Sequence, residues 1–163
     1  MIYLSTFESP VGKISLASNG AGLVNLWCET QKPSISMQDI IWKDDEILLE
    51  VKEWLKRYFA GDKPGNYELP LVMMGTEFRQ EVWQLLSKIP YGQTVTYGDL
   101  AKRVAIKLGK TKMSAQAVGG AVGCNPIPII VPCHRVVGAN GKLVGYTGGL
   151  DLKTWLLHHE GIL

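Results

Sequence analysis

Apolar and polar residues alternate along the first part of the chain. Ile2, Leu4 and Thr6 alternate with Tyr3, Ser5 and Phe7, and Ile14 and Leu16 stand between polar neighbours. A period of two predicts strands with one face buried. Asn19-Gly20 is a hairpin signal, and Gly22 to Trp27 reads as a third strand. Residues 31–38 read as loop. The period then lengthens. Ile47, Leu48, Val51, Trp54, Leu55, Tyr58 and Phe59 recur at helical spacing behind Asp44-Asp45-Glu46, whose carboxylates suit a helix N-terminus. Gly61-Asp62-Lys63-Pro64-Gly65-Asn66 ends that helix, and a linker is expected to about Gly75.

The second part is patterned for helices. Thr76 is a predicted N-cap, followed by the stripe Phe78, Val82, Leu85, Leu86 and Ile89, with Pro90 as the stop. Thr96-x-x-Asp99 starts a short helix with Leu100, Ala101 and Val104 inward. Thr111 is the expected cap of the next helix, about Lys112 to Val122. Two short helices around a glycine-containing turn make a helix-turn-helix pattern. Pro126, Pro128 and Pro132 predict an extended tract after Asn125. Asn140-Gly141 is a turn. A last helix is expected from Leu150 to Glu160, capped by Gly161. The fold class is therefore α+β, with a domain and linker over 1–75 and a mainly helical domain over 76–163.

Composition narrows the setting. The chain has 163 residues and a net charge of +2, which alone implies no polyanion. The halves differ, however. Residues 1–75 hold 7 Lys and Arg against 10 Asp and Glu, and residues 76–163 hold 10 against 5. Any polyanion should meet the second half; a chance partition of surface charge is the competing reading. No stretch approaches the roughly 20 apolar residues of a membrane span, and no secretion signal opens the chain. Cys28, Cys124 and Cys133 are odd in number and widely spaced, which argues against a disulfide framework and a zinc site. A cytoplasmic protein without metal is expected.

The chemistry gathers around Cys133. It ends an apolar run, Pro126-Ile127-Pro128-Ile129-Ile130-Val131-Pro132, and His134 and Arg135 follow at once. A neighbouring His or Arg favours the thiolate, the nucleophilic form. Cys28 and Cys124 read as small buried hydrophobes. The helix Ala115-Gln116-Ala117-Val118-Gly119-Gly120-Ala121, with Gly123 just beyond, is weakened by roughly 1 kcal/mol per glycine relative to alanine. Close packing on another helix and docking against DNA both account for that cost. With Gln116 as the lone side chain suited to reading bases, the DNA reading favours a sequence-tolerant, minor-groove mode. Glu160 opposes the dipole of its helix; it is either an exposed carboxylate paired locally with His158 or a lysine, or the group that orients a histidine elsewhere, such as His134. Tyr97, and the loop Tyr146-Thr147-Gly148-Gly149, are further candidates.

Taken together, these residues resemble the O6-alkylguanine-DNA alkyltransferases. The matching text is Pro132-Cys133-His134-Arg135-Val136, Asn125-Pro126-x-Pro128, Ala117 to Ala121, Tyr97, Tyr146 to Gly149, and Trp155-Leu156-Leu157-x-His159-Glu160-Gly161. The resemblance is close over Phe78 to Gly161; before that it extends to size and layout. It implies an N-terminal three-stranded antiparallel sheet with a helix, ribonuclease H-like, and a winged helix-turn-helix domain. It implies a monomeric suicide DNA-repair protein that binds double-stranded DNA containing O6-alkylguanine, flips the base and moves the alkyl group irreversibly to Cys133, with no cofactor. O4-alkylthymine is a possible second substrate. The resemblance gives His134 the role of base through a water, Glu160 that of orienting His134, and Asn125 that of holding the surrounding turn. Tyr97 would donate to the flipped base and crowd its phosphate. Thr147 would meet the O6 side, Pro128, Val136 and Tyr146 would wall the pocket, and Lys153 would anchor the Tyr146 loop. Ala115, Gln116, Ala117 and Gly119 would face DNA.

Two departures stand out. Many members carry arginine where this chain has Gln116, which implies weaker extrusion of undamaged bases. Ala105 to Lys112 is longer than typical. A non-catalytic lesion sensor and a Cys-His hydrolase are the competing readings. Sensors of this kind lack the cysteine, and hydrolases usually bring the two residues together from distant positions. An activated Cys133 should ionise below the roughly 8.5 of a free thiol.

Overall fold

The computed structural model describes all 163 residues except Thr147. The chain forms two compact units, Met1–Met74 and Gly75–Leu163.

The first unit is a sheet with one helix. The strands are β1 (Ile2–Ser9), β2 (Gly12–Ser18), β3 (Leu23–Cys28) and β4 (Ile40–Trp42), in the order β3-β2-β1-β4. The antiparallel meander β1-β2-β3 is the expected one, with Leu4 opposite Ala17 and Leu16 opposite Leu26. The expected three-stranded antiparallel sheet is corrected to a mixed sheet of four strands. β4 adds to β1 in parallel, pairing Ile2 with Ile40 and Leu4 with Trp42. It has only three residues, none of them buried, so it carries no alternating signal. The helix α1 (Glu46–Phe59) starts at Asp45, whose Oδ1 accepts from the Leu48 N–H at 2.8 Å. Its inward stripe of Leu48, Val51, Trp54, Leu55 and Tyr58 is buried, each such side chain contributing about 1.5–3 kcal/mol.

The second unit holds the helices. In α2 (Glu77–Leu86), Thr76 caps as expected, accepting from Arg79 N at 3.2 Å. In α3 (Tyr97–Lys107), Thr96 accepts from Asp99 N at 3.0 Å. α4 (Ala115–Gly123) is capped by Ser114, whose Oγ accepts from Ala117 N at 3.2 Å. The expected cap, Thr111, therefore lies outside the helix. α5 (Leu150–His159) follows Gly149, and Gly161 beyond it adopts φ 80°. Val82, Trp83, Leu86, Leu100, Val104, Val118 and Ala121 are all buried. The indole of Trp83 donates to Ala121 O at 2.9 Å, tying α2 to α4.

Two features place the site. The two-residue strands β5 (Val95–Thr96) and β6 (Val136–Val137) pair in parallel, Val95 with Val136. That ladder sets the start of α3, and so Tyr97, beside the end of the Cys133 segment. The proline tract is not extended as expected. Residues 127–130 form a turn, with Ile129 at φ 74°, and Cys133–Arg135 is one turn of 3-10 helix. The prolines forbid an α-helix but permit turns, and Asn125 closes this one.

Candidate active site

Asn125 ties the loop that carries the thiol. Its Nδ2 donates to Val131 O at 2.8 Å and its Oδ1 accepts from Ile127 N at 3.0 Å. Both bonds are buried, so neither polar group is left unsatisfied. The 3-10 turn that follows presents Cys133, His134 and Arg135, all buried.

A buried charge network backs the turn. His134 Nε2 lies 2.6 Å from Glu160 Oε2. Arg135 is bidentate on the same carboxylate, Nε to Oε1 at 2.7 Å and Nη2 to Oε2 at 3.1 Å, and its Nη1 donates to Ile89 O at 2.6 Å. The Gly92 N–H adds a longer bond to Glu160 Oε1, at 3.3 Å. Burial alone would raise the Glu160 carboxyl, but the hydrogen bonds and charges of His134 and Arg135 outweigh it and hold it well below the usual carboxylate range. Burial lowers the His134 pKa, and Glu160 opposes that only in part. The imidazole is thus neutral near pH 7. With Nε2–H donated to Glu160, Nδ1 is the basic nitrogen, and it has no hydrogen-bond partner among the described residues.

Cys133 is 3% exposed, yet it lines a cavity of about 460 Å³. Tyr97, Gly119, Val122, Gly123, Val144, Gly145 and Tyr146 complete the lining. Burial raises the thiol pKa; Asn125, Tyr146 and Lys153 pull the other way without cancelling it. In the open cavity, burial therefore works against the ionisation that an activated Cys133 needs. Arg135, expected to favour the thiolate, spends its fork on Glu160 instead.

The remaining expected residues divide. Tyr97, Gly119 and Tyr146 line the cavity with the thiol. Lys153 is fully buried on α5, and its Nζ donates to Val136 O at 2.6 Å and Val144 O at 3.1 Å. It anchors the strand below the thiol and the loop that leads to Tyr146. Ala115, Gln116 and Ala117 are exposed on α4. Pro128 and Val136 are buried but do not line the cavity; Val136 sits in β6 with its side chain in the core. Thr147 lies outside the described residues. Cys28 is buried, and burial, then Glu29, push its thiol up to about 11. Cys124, expected to be buried, is exposed at the C-cap of α4. Sequence reasoning missed Arg135 as the clamp on Glu160 and Gly123, Val144 and Gly145 as lining; Val122, expected to set the width of the pocket, does line it. The spacing of Arg135 next to His134 held the signal for the first; apolar and glycine lining carries none.

The glycines of α4 face open space. A Cβ built on Gly120 or Gly123 meets nothing within 4 Å among the described residues, and one on Gly119 meets the Tyr97 ring at 3.7 Å. Close helix packing therefore does not account for Gly120 and Gly123.

A thiol lining a cavity, backed by a histidine–carboxylate pair and roofed by a glycine-bearing helix, defines a cysteine-dependent group-transfer protein. The 6-O-methylguanine DNA methyltransferase DNA binding domain matches residues 77–162, and the ribonuclease-like domain of the same proteins matches residues 2–73. The chain belongs to the 6-O-methylguanine DNA methyltransferase family. It is 46% identical to the methylated-DNA–protein-cysteine methyltransferase of Methanosarcina acetivorans, over 98% of this chain and 99% of that one. It is 42% identical to the protein of the same name from Mycobacterium leprae, over 98% and 93%. Among solved structures, Mycobacterium tuberculosis OGT in complex with DNA is 40% identical, covering 97% of this chain and 92% of that one, with a TM-score of 0.84.

Proposed function

We propose that this chain repairs DNA by moving the alkyl group of O6-alkylguanine onto Cys133, once per molecule. The observation that carries the reading is the open cavity lined by Cys133 beside the buried His134–Glu160 pair. An alkyl carbon on oxygen calls for a soft nucleophile, and a thiolate is one. His134 Nδ1 takes the thiol proton, directly or through one water. Glu160 fixes the ring and stabilises the imidazolium, the logic of a catalytic triad with sulfur as nucleophile. The sulfur–carbon bond forms as the carbon–O6 bond breaks. The electron pair passes to the guanine, which takes up one proton, leaving a neutral thioether and an unmodified base. Tyr97 donates towards the departing base. Asn125 holds the loop and, with Tyr146, favours the ionised sulfur.

DNA is engaged by α3 and α4 as a winged helix-turn-helix. The exposed, open-faced glycines of α4 suit close approach in a minor groove, and Gln116 occupies the space of the extruded base. The positive balance of residues 76–163 supplies the attraction to phosphate. No described helix is long and apolar enough to cross a membrane.

Intact-mass measurement after incubation with a duplex containing O6-methylguanine tests the proposal. One methyl group appears on Cys133 and the reaction stops at one equivalent. Binding without a mass change would make the chain a lesion sensor, and continuing turnover would make it a hydrolase.

A further inference from the structure

Two cations are buried beside the thiol, and they differ in their partners. Arg135 is neutralised by Glu160 through two hydrogen bonds. Lys153 is 0% exposed and pairs with no carboxylate among the described residues. Two carbonyls hold it, and neither carries a full charge. Burying an ammonium ion without a counter-ion is costly, and anchoring two carbonyls does not require it. A neutral side-chain amide, with its two N–H donors, could make the same two bonds.

The position of Nζ suggests what the charge is for. Its acceptor Val144 lines the cavity with Cys133. The rings of Tyr97 and Tyr146, two more lining residues, have their centroids 5.9 and 6.0 Å from Nζ. The other ionisable groups around the thiol come from each packed element. α3 brings Tyr97, the loop before α5 brings Tyr146, and the 3-10 turn brings His134 and Arg135. α5 brings Lys153 and its C-cap brings Glu160, and α4 brings none. Glu160 is committed to His134 and Arg135.

We propose that Lys153 is the counter-cation of the Cys133 thiolate, its buried charge balanced when the sulfur ionises. The inference rests on the proposed role of Cys133 and deepens it. Proton transfer from sulfur to His134 creates an anion in a dry pocket, and Lys153 stabilises that anion before the alkyl carbon is attacked. The mutual influence of the two groups is consistent with this: each favours the charged form of the other. Lys153 acts on the charge of the nucleophile and transfers no atom.

Single-turnover repair by Lys153→Met, measured against pH, tests the role. The apparent pKa of the rate rises by about 1 unit or more relative to the unmodified protein. The rate at pH 7 falls roughly tenfold per unit of that shift and recovers at alkaline pH. A purely structural anchor would lower the rate equally at every pH, with no shift. A second measurement does not depend on that variant folding. NMR of labelled lysine side chains follows Lys153 in the unmodified protein and in Cys133→Ser. Lys153 loses its proton at lower pH in the serine variant, which cannot form the anion. Equal titration in the two proteins, or a Lys153→Met profile without a shift, overturns the inference. Absence of a methyl group on Cys133 in the unmodified protein would instead overturn the proposed function.

Discussion

Removing the charge of Glu160 tests the site at its most connected point. The carboxylate accepts from His134 at 2.6 Å and from Arg135 at 2.7 and 3.1 Å, and its side chain is fully buried. In Glu160→Gln the amide retains one acceptor oxygen of similar shape. Arg135 keeps its bond to Ile89 O but loses its counter-ion. Breaking a buried pair from one side costs about 3–5 kcal/mol, because the other charge is left uncompensated. Arg135→Met strands Glu160 in the same way, so each single change should lower stability by that amount. The double variant leaves neither charge, and its loss should fall at least about 2 kcal/mol short of the sum. Urea titrations with hydrogen exchange read on peptides from residues 150–160 report this unit alone. Single-turnover repair of Glu160→Gln should also fall, by up to the roughly 10²–10⁴ that general-base catalysis contributes, because His134 remains but loses the carboxylate that orients its ring and stabilises its charged form. Additive losses within about 0.5 kcal/mol would refute the network as an energetic unit. A loss of stability with an unchanged rate would refute its part in the chemistry.

Replacing Gln116 by Arg should tighten binding to undamaged duplex and steepen its salt dependence by about one phosphate contact; unchanged affinity in a filter or anisotropy titration argues against the wedge assignment. Gly120→Ala should stabilise α4 by up to about 1 kcal/mol, since its Cβ meets nothing, yet weaken DNA binding; equal affinity would mean that face does not dock. Burial holds the His134 pKa below its usual value, so the folded protein binds that proton less readily than the unfolded chain. Its contribution to stability is complete above about pH 6.5 and is lost as pH falls from there towards the folded value, at up to about 1.4 kcal/mol per unit. Glu160, also depressed, adds its loss only below about pH 4.3, so a melting temperature flat from pH 7 to 5 would contradict the neutral buried ring. With iodoacetamide at pH 7, exposed Cys124 should be modified well before Cys133, as peptide mapping reads directly; the reverse order would show a thiol already ionised at rest.

Helices were legible wherever a cap and a stripe agreed. Thr76 with Val82 and Leu86, and Thr96 with Leu100 and Val104, place α2 and α3 because a side-chain cap and a 3.6-residue period are both local. Ser114 displaced Thr111 as the cap of α4 because the polar run of Lys110 to Ser114 offers several candidates and only packing chooses among them. β4 was not legible: Ile40, Ile41 and Trp42 lack a buried face, and their place beside β1 depends on a contact nearly forty residues away. At the site, the meeting of His134 with Glu160 was anticipated from a carboxylate set against its helix dipole. The role of Arg135 was misread because adjacency in sequence suggested adjacency to the sulfur. The 3-10 turn sends successive side chains in different directions, and Arg135 points to Glu160. The burial that opposes ionisation of the thiol was not legible for a related reason. Sequence shows neighbouring charges, but desolvation is a property of the packed loop, and here it is the larger effect.

That larger effect has a consequence for a protein whose acceptor is part of itself. A thiolate at rest would react with any small electrophile or oxidant that entered the cavity, and for a stoichiometric protein each such event removes one molecule from service. Burial raises the thiol pKa and keeps the sulfur protonated, which suppresses those reactions. The groups that favour ionisation are already in place: neutral His134 held by Glu160, Lys153 on its two carbonyls, and the Asn125 and Tyr146 side chains. They are fixed by the fold and need no reorganisation when the sulfur ionises. The opposition between burial and this set of groups thus sets the reactivity of the sulfur: desolvation holds it as the thiol, and His134, Lys153, Asn125 and Tyr146 are the groups through which any shift towards the thiolate has to act.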